Sequence, residues 1–74
     1  MGDKSINIEI GIVCYETALL LIEKKLNPLI WARIKNNLGI ALSYKTQGNY
    51  ANNVEQAILS YKSALKIYSS EGEG

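Results

Sequence analysis

The side chains that could support catalysis in this sequence are few and lack suitable partners. Glu9, Glu16 and Glu23 recur every seven residues, which would place their carboxylates on one stripe of a helix. Acid–base or nucleophilic catalysis would need a histidine, a second carboxylate cluster or a nucleophile–base pair beside them, and the sequence contains no histidine. We therefore interpret the three glutamates as a solvated stripe between two apolar faces. We expect no enzymatic activity and no cofactor.

The other chemical possibilities are a reactive thiol, a metal site and a phosphate-binding loop. Cys14, the single cysteine, is flanked by Val13 and Tyr15 rather than by cations, which favours a small buried apolar side chain over an activated thiol. One cysteine without histidine provides neither a Cys/His zinc site nor an internal disulfide. Gly48-Asn49 lacks the spacing and the lysine of phosphate-binding loops. This cysteine usage fits a reducing, cytoplasmic environment.

Composition limits the classes of partner. The sequence has 74 residues, of which 47% are hydrophobic and 20% charged, so we expect one small globular domain over residues 1–74. A formal net charge of +1 provides no basic footprint for nucleic acid. The longest apolar run, residues 18–22, is too short to span a bilayer, and the first residues lack the pattern of a signal peptide. We expect a protein or peptide partner, and neither nucleic acid nor a membrane.

Polar breaks divide the sequence into three helical segments, which predicts an all-α fold. Within each segment, apolar residues recur at spacings of three and four. Asn7 is a suitable N-cap for helix 1, Pro28 suits the first turn of helix 2, and Asn52 or Asn53 can cap helix 3. Gly48 can adopt the left-handed conformation that ends a helix. The predicted helices span residues 7–26, 28–46 and 53–70.

Helices 2 and 3 share a pattern of small and apolar residues. The pattern consists of Leu38, Gly39, Ala57, Tyr61, Ala64 and Leu65. Small residues on an apolar stripe let a neighbouring backbone approach closely, which favours tight antiparallel packing of the two helices. The pattern resembles the signature of tetratricopeptide repeats, and is most similar to a longer-looped bacterial variety. The resemblance implies helix–turn–helix units that stack into an αα superhelix and act as protein-binding scaffolds.

Helix 1 is related to helix 3. Asn53 lies 46 residues (53 − 7) after Asn7. Five further pairs are identical at this offset: Glu9 and Glu55, Ile12 and Ile58, Tyr15 and Tyr61, Ala18 and Ala64, Leu19 and Leu65. We therefore interpret helix 1 as the second helix of a preceding unit, so the predicted order is B–A–B, one full repeat with a leading half-repeat.

The apolar faces predict a core and a surface for self-association. The predicted core contains Ile12, Tyr15, Leu19, Leu38, Gly39, Leu42, Ala57, Ile58, Tyr61, Ala64 and Leu65. Helix 1 has a second apolar face: Ile10, Val13, Cys14, Leu20 and Leu21. The matching residues of helix 3 are Gln56, Leu59, Ser60, Lys66 and Ile67, and we expect helix 3 to leave this side in water. Helix 1 should bury its second face in a homodimer or a higher even-numbered assembly, by direct packing or by helix exchange.

The family resemblance also implies a peptide-binding groove, because the first helix of each repeat lines a concave surface in that family. Matching Leu38-Gly39 to the family motif places five residues there: Arg33, Asn36, Ile40, Ser43 and Tyr44. Arginine and asparagine supply donors for a peptide carboxylate or an extended backbone. A hydrated helix face and a minimal folding unit without ligand are the competing interpretations. The leading hypothesis is a non-enzymatic interaction module that self-associates; a peptide-binding fragment of a larger bacterial regulatory protein is the alternative.

Overall fold

The computed structural model describes residues 4–72, which contain three α-helices and no strand. The helices are α1 (Lys4–Leu21), α2 (Pro28–Ser43) and α3 (Tyr50–Gly72). This confirms the prediction of an all-α, three-helix fold. The outermost residues of the predicted domain, 1–3 and 73–74, lie outside the described part.

Helix α1 differs from the predicted helix 1 at both ends. Asn7 lies inside α1 instead of capping it, because asparagine is only mildly unfavourable within a helix and the flanking residues propagate it. At the other end, α1 stops at Leu21 and the chain turns a corner around Glu23, whose carbonyl accepts the backbone amide of Asn27 at 2.9 Å. Proline disfavours helical backbone in the residue before it, and Asn27 is non-helical, with φ −134° and ψ 62°.

Helix α2 begins at Pro28, as predicted, and ends three residues earlier than predicted, at Ser43. The last turn tightens, since the backbone amide of Tyr44 reaches the carbonyls of Ile40 and Ala41 at 3.3 and 3.2 Å. Gly48 has φ 82°, the left-handed conformation expected for it. It lies well beyond the helix end, however, so it turns the connecting loop rather than terminating α2 directly.

The beginning of α3 is fixed by two asparagines with different roles. The cap is Asn49 rather than Asn52 or Asn53, because the Asn49 Oδ1 accepts the backbone amide of Asn52 at 2.8 Å. Asn53 is buried within the first turn, and its Nδ2 donates to the carbonyl of Gln47 at 2.8 Å. The second hydrogen bond ties the loop to α3. Because Asn49 caps the helix, α3 begins at Tyr50, three residues before the predicted start.

The middle helix, α2, organises the packing. It contacts both α1 and α3, whereas the backbones of α1 and α3 make no close approach to each other. One core cluster joins the end of α2 to the beginning of α3 and the middle of α1: Ile12, Leu38, Leu42 and Ala57. A second cluster joins the beginning of α2 to the end of α3: Ala32, Ala64 and Ile67. The α2–α3 contacts therefore run in opposite order along the two helices.

The predicted core is correct for α2 and wrong for one side of α3. Ile58 and Leu65 were expected in the core, but they are 47% and 64% exposed. The core members that are buried are Ile12, Leu38, Gly39, Leu42, Ala57 and Ala64. Tyr15, Leu19 and Tyr61 are half-buried against them. Ala32 and Ile67 are buried and were not predicted.

The orientation of α3 about its own axis explains why Ile58 and Leu65 are exposed. Helix α3 presents its small residues Ala57 and Ala64 to α2, which brings Ser60 and Ile67 into the interface. The expectation that helix 3 leaves Ser60 and Ile67 in water is therefore wrong, although Gln56, Leu59 and Lys66 on the same side are exposed. The approach at Gly39 is so close that a Cβ atom there would lie 2.8 Å from the Tyr61 ring.

Candidate functional site

The five residues predicted for self-association form one exposed surface on α1. We call it the α1 surface: Ile10, Val13, Cys14, Leu20 and Leu21. Leu20 and Leu21 are 86% and 80% exposed, and the other three are also exposed. The buried residue Ile12 lies on the opposite side of the helix, against α2. The expectation that Cys14 is a buried apolar side chain is therefore wrong for the isolated chain.

The exposed apolar side of α1 is larger than predicted. Ile6 is also more than half exposed and continues the α1 surface by one turn, since it precedes Ile10 by four residues and Val13 by seven. The signal was present in the sequence as the same helical spacing. Sequence reasoning missed it because Asn7 was interpreted as the start of the helix.

One edge of the α1 surface adjoins a cleft that lies over α2 and has a mixed polar and apolar lining. The cleft has a volume of about 480 Å³ and carries acidic residues from α1, one lysine from α2, one lysine from the following loop, and uncharged polar residues from α3. The charged members are Glu9, Glu16, Lys35 and Lys45. Lys45 Nζ lies 3.9 Å from Glu9 Oε1, and Glu9 Oε2 is buried without a hydrogen-bond partner. The interpretation of a fully solvated glutamate stripe is therefore wrong for Glu9, which α2 partly covers.

The predicted peptide-binding residues do not form one uniform surface. Arg33, Ile40, Ser43 and Tyr44 are exposed along α2, whereas Asn36 is half-buried beside α3. The Ser43 hydroxyl donates to the carbonyl of Ile40 at 2.6 Å, so its proton is engaged with its own helix. Arg33 and Tyr44 are eleven residues apart, which corresponds to about 16 Å along a helix. These residues thus lie along a long surface on which the single cation, Arg33, is near one end.

A further apolar surface lies on α3, where sequence reasoning expected core. We call it the α3 groove; its volume is about 430 Å³. Its lining is Asn36, Ile58, Tyr61, Lys62, Ala64, Leu65 and Tyr68. The spacing of Ile58, Leu65 and Tyr68 is visible in the sequence, but spacing alone does not show which of two apolar sides faces α2.

The corner between α1 and α2 contains a tryptophan between two lysines. The Nζ atoms of Lys24 and Lys35 lie 4.9 and 5.5 Å from the centroid of the Trp31 ring, within cation–π range. Trp31 also packs against the cluster that includes Ala32 and Ala64. These contacts hold the corner in place, and we interpret Trp31 as a structural residue.

Within residues 4–72, none of the helices combines the length and apolar character needed to cross a membrane. The described His, Cys, Asp and Glu residues form no group of three or more that could hold a metal ion.

Comparisons of the chain with family models, with curated proteins and with solved structures find no match. The resemblance to tetratricopeptide repeats therefore depends on the residues of this chain, namely the Leu38-Gly39 motif and the relation between α1 and α3.

Proposed function

We propose that this chain is a non-enzymatic protein–protein interaction module of the tetratricopeptide type that self-associates through the α1 surface. The observation that supports this proposal is the exposure of apolar residues along one side of α1, interrupted by Thr17, with Leu20 and Leu21 almost fully in water. Scattered exposed apolar residues are normal in proteins, whereas a group of them on one side of a helix commonly marks an interaction site. The product would be a homodimer or a higher even-numbered assembly.

Energetics favours covering this surface. Fully burying one large aliphatic side chain contributes roughly 1.5–3 kcal/mol, and the α1 surface has four such residues besides Cys14. A domain of 74 residues has a small core, so this contribution is large relative to its stability. A second copy supplies the same apolar side, and two-fold symmetry makes such a contact self-complementary. The proposal includes a reducing, cytoplasmic setting, in which Cys14 stays a thiol.

The test changes the charge of the α1 surface. We expect Leu21→Glu combined with Val13→Lys to convert the assembly into monomers in sedimentation experiments. The matched control is Gln56→Glu combined with Leu59→Lys, which introduces the same charges on exposed positions of α3 and should sediment like the parent. A parent that is monomeric at high micromolar concentration would refute the proposal. A double variant that assembles normally would place the interface elsewhere.

Peptide binding on α2 is the second candidate function. It is favoured by the common exposure of Arg33, Ile40, Ser43 and Tyr44 along one helix. In this alternative, the chain is a peptide-binding part of a larger bacterial regulatory protein. An acidic C-terminal peptide should shift the amide signals of Arg33, Asn36 and Tyr44 before others. If none of the peptides in a varied library shifts these three signals, this side of α2 is not a peptide-binding site.

A further inference from the structure

The internal repeat allows the apolar side of α3 to be compared with the matching side of α1. Ile12, Tyr15 and Leu19 of α1 pack against α2, with Ile12 buried. Residues of the same type occupy α3 at the offset of 46 positions, and two of them, Ile58 and Leu65, are exposed in the α3 groove. The isoleucine and the leucine of this series are thus seen once packed in the core beside α2 and once exposed, whereas Tyr61, like Tyr15, packs against the core cluster.

We propose that the α3 groove binds an amphipathic helix of a partner protein, and that the contacting side of this helix has the chemistry of α2. In α2, leucine and alanine side chains at spacings of three and four contact α1: Leu38, Ala41 and Leu42. The partner helix should therefore present leucines and small residues in that pattern. Ile58 and Tyr68 are ten residues apart, so the contact extends over about 15 Å, or three helical turns.

Charge at the rim of the groove adds a second requirement for the partner. Glu9 of α1 lies 3.9 Å from Lys45, which follows the end of α2, next to the apolar contact. The equivalent residue of α3 is Glu55, which is identical in type and exposed. A partner segment that repeats the α2 pattern would carry a lysine or arginine just after its helix, opposite Glu55. The expected partner is therefore a helix that combines small and leucine residues with a basic residue at one end of its contact side.

This inference concerns a surface separate from the α1 surface, and the two can fail separately. Leu65 and Glu55 belong to α3, whereas self-association was proposed for α1. Charge substitutions in the α3 groove therefore test it, and an exposed position of α3 outside both surfaces serves as the control.

A synthetic peptide of residues 28–45 provides the probe, since it contains the side of α2 that covers α1. It should be titrated into the isotope-labelled full chain, with a scrambled peptide as the first control. An isolated helix of this length is marginal in water, so we expect weak, saturable binding. Amide signals of Ile58, Leu65 and Tyr68 should shift first. Absence of saturable binding would overturn the proposal, as would shifts confined to α1 or spread over all three helices.

Variants of the chain locate the bound peptide. Leu65→Lys should weaken binding by roughly tenfold or more, because it places an unpaired charge in the apolar contact. Glu55→Lys should weaken it by a smaller factor, because it reverses the charge opposite the basic residue of the peptide. The matched control, Leu59→Lys on α3 outside the groove lining, should leave the affinity unchanged. All three positions are exposed, so circular dichroism should show parent-like helix content. Equal binding by the parent and Leu65→Lys would contradict the proposal.

Discussion

Helices α1 and α3 carry identical residues in different environments. Ile12 is 5% exposed, while its repeat partner Ile58 is 47% exposed. The reverse holds for the other side, where Ile67 is buried in α3 and its counterpart Leu21 is exposed in α1. Each helix therefore has two packing sides, and the single chain covers a different one in each. Which side of each helix is buried therefore depends on where α2 packs against it, and not on the residue type.

The largest expected difference between the two helices concerns this isoleucine pair. Ile12→Ala should lower the free energy of unfolding by about 2–5 kcal/mol, because it opens a cavity in the core cluster. Ile58→Ala should cost less than half as much, because its side chain is already partly in water. Urea denaturation at one fixed protein concentration measures both values. Equal losses would show that the α3 groove is covered in solution.

Replacing a small residue by leucine tests how tightly each helix contact is packed. Ala64 is buried between α2 and α3, so Ala64→Leu should destabilise the fold by about 1–3 kcal/mol. The repeat-equivalent change, Ala18→Leu, falls on a half-buried position and should have a much smaller effect. Thermal melts of the two variants and the parent provide the measurement. If Ala64→Leu melts with the parent, the α2–α3 interface is assigned incorrectly.

A pair of glycines should respond with opposite signs. Gly39→Ala places a Cβ atom 2.8 Å from the Tyr61 ring, and we expect a net loss of about 1–2 kcal/mol after the gain in helix propensity. Gly11→Ala meets nothing within 4 Å and should stabilise α1 by about 0.5–1 kcal/mol. Chemical denaturation resolves both changes. A destabilising Gly11→Ala would indicate that another helix approaches α1 closely at Gly11.

The smallest expected difference concerns the asparagine pair of the repeat. Asn53→Ala removes the hydrogen bond to the Gln47 carbonyl and should cost about 1 kcal/mol. Asn7→Ala changes an exposed residue inside α1 and should alter stability by less than about 0.5 kcal/mol. Amide hydrogen exchange in the loop should increase only in the first variant. If the loop amides exchange at the same rate in the two variants, a contact other than the Asn53 hydrogen bond anchors the loop.

Much of the fold follows from local sequence signals. Three helical segments, the helix start at Pro28 and the left-handed Gly48 were all predicted and are observed. The ends of the helices were less predictable, because several polar residues compete for each cap. Asn49, Asn52 and Asn53 can each cap a helix in principle, and the choice depends on how the loop is anchored at Gln47.

The sequence identified a second apolar face of α1, whose residues are exposed, and it assigned Ile58 and Leu65 of the α3 groove to the core. Apolar spacing along α3 identifies two usable sides, one with Ile58 and Leu65 and one with Ala57 and Ile67. The tertiary structure selects the second, because small residues allow the closest approach to α2 at Ala32 and Gly39. The sequence thus determined which residues can be buried. Only the packing of three helices in one chain decided which are, since α2 can cover one side of each neighbour.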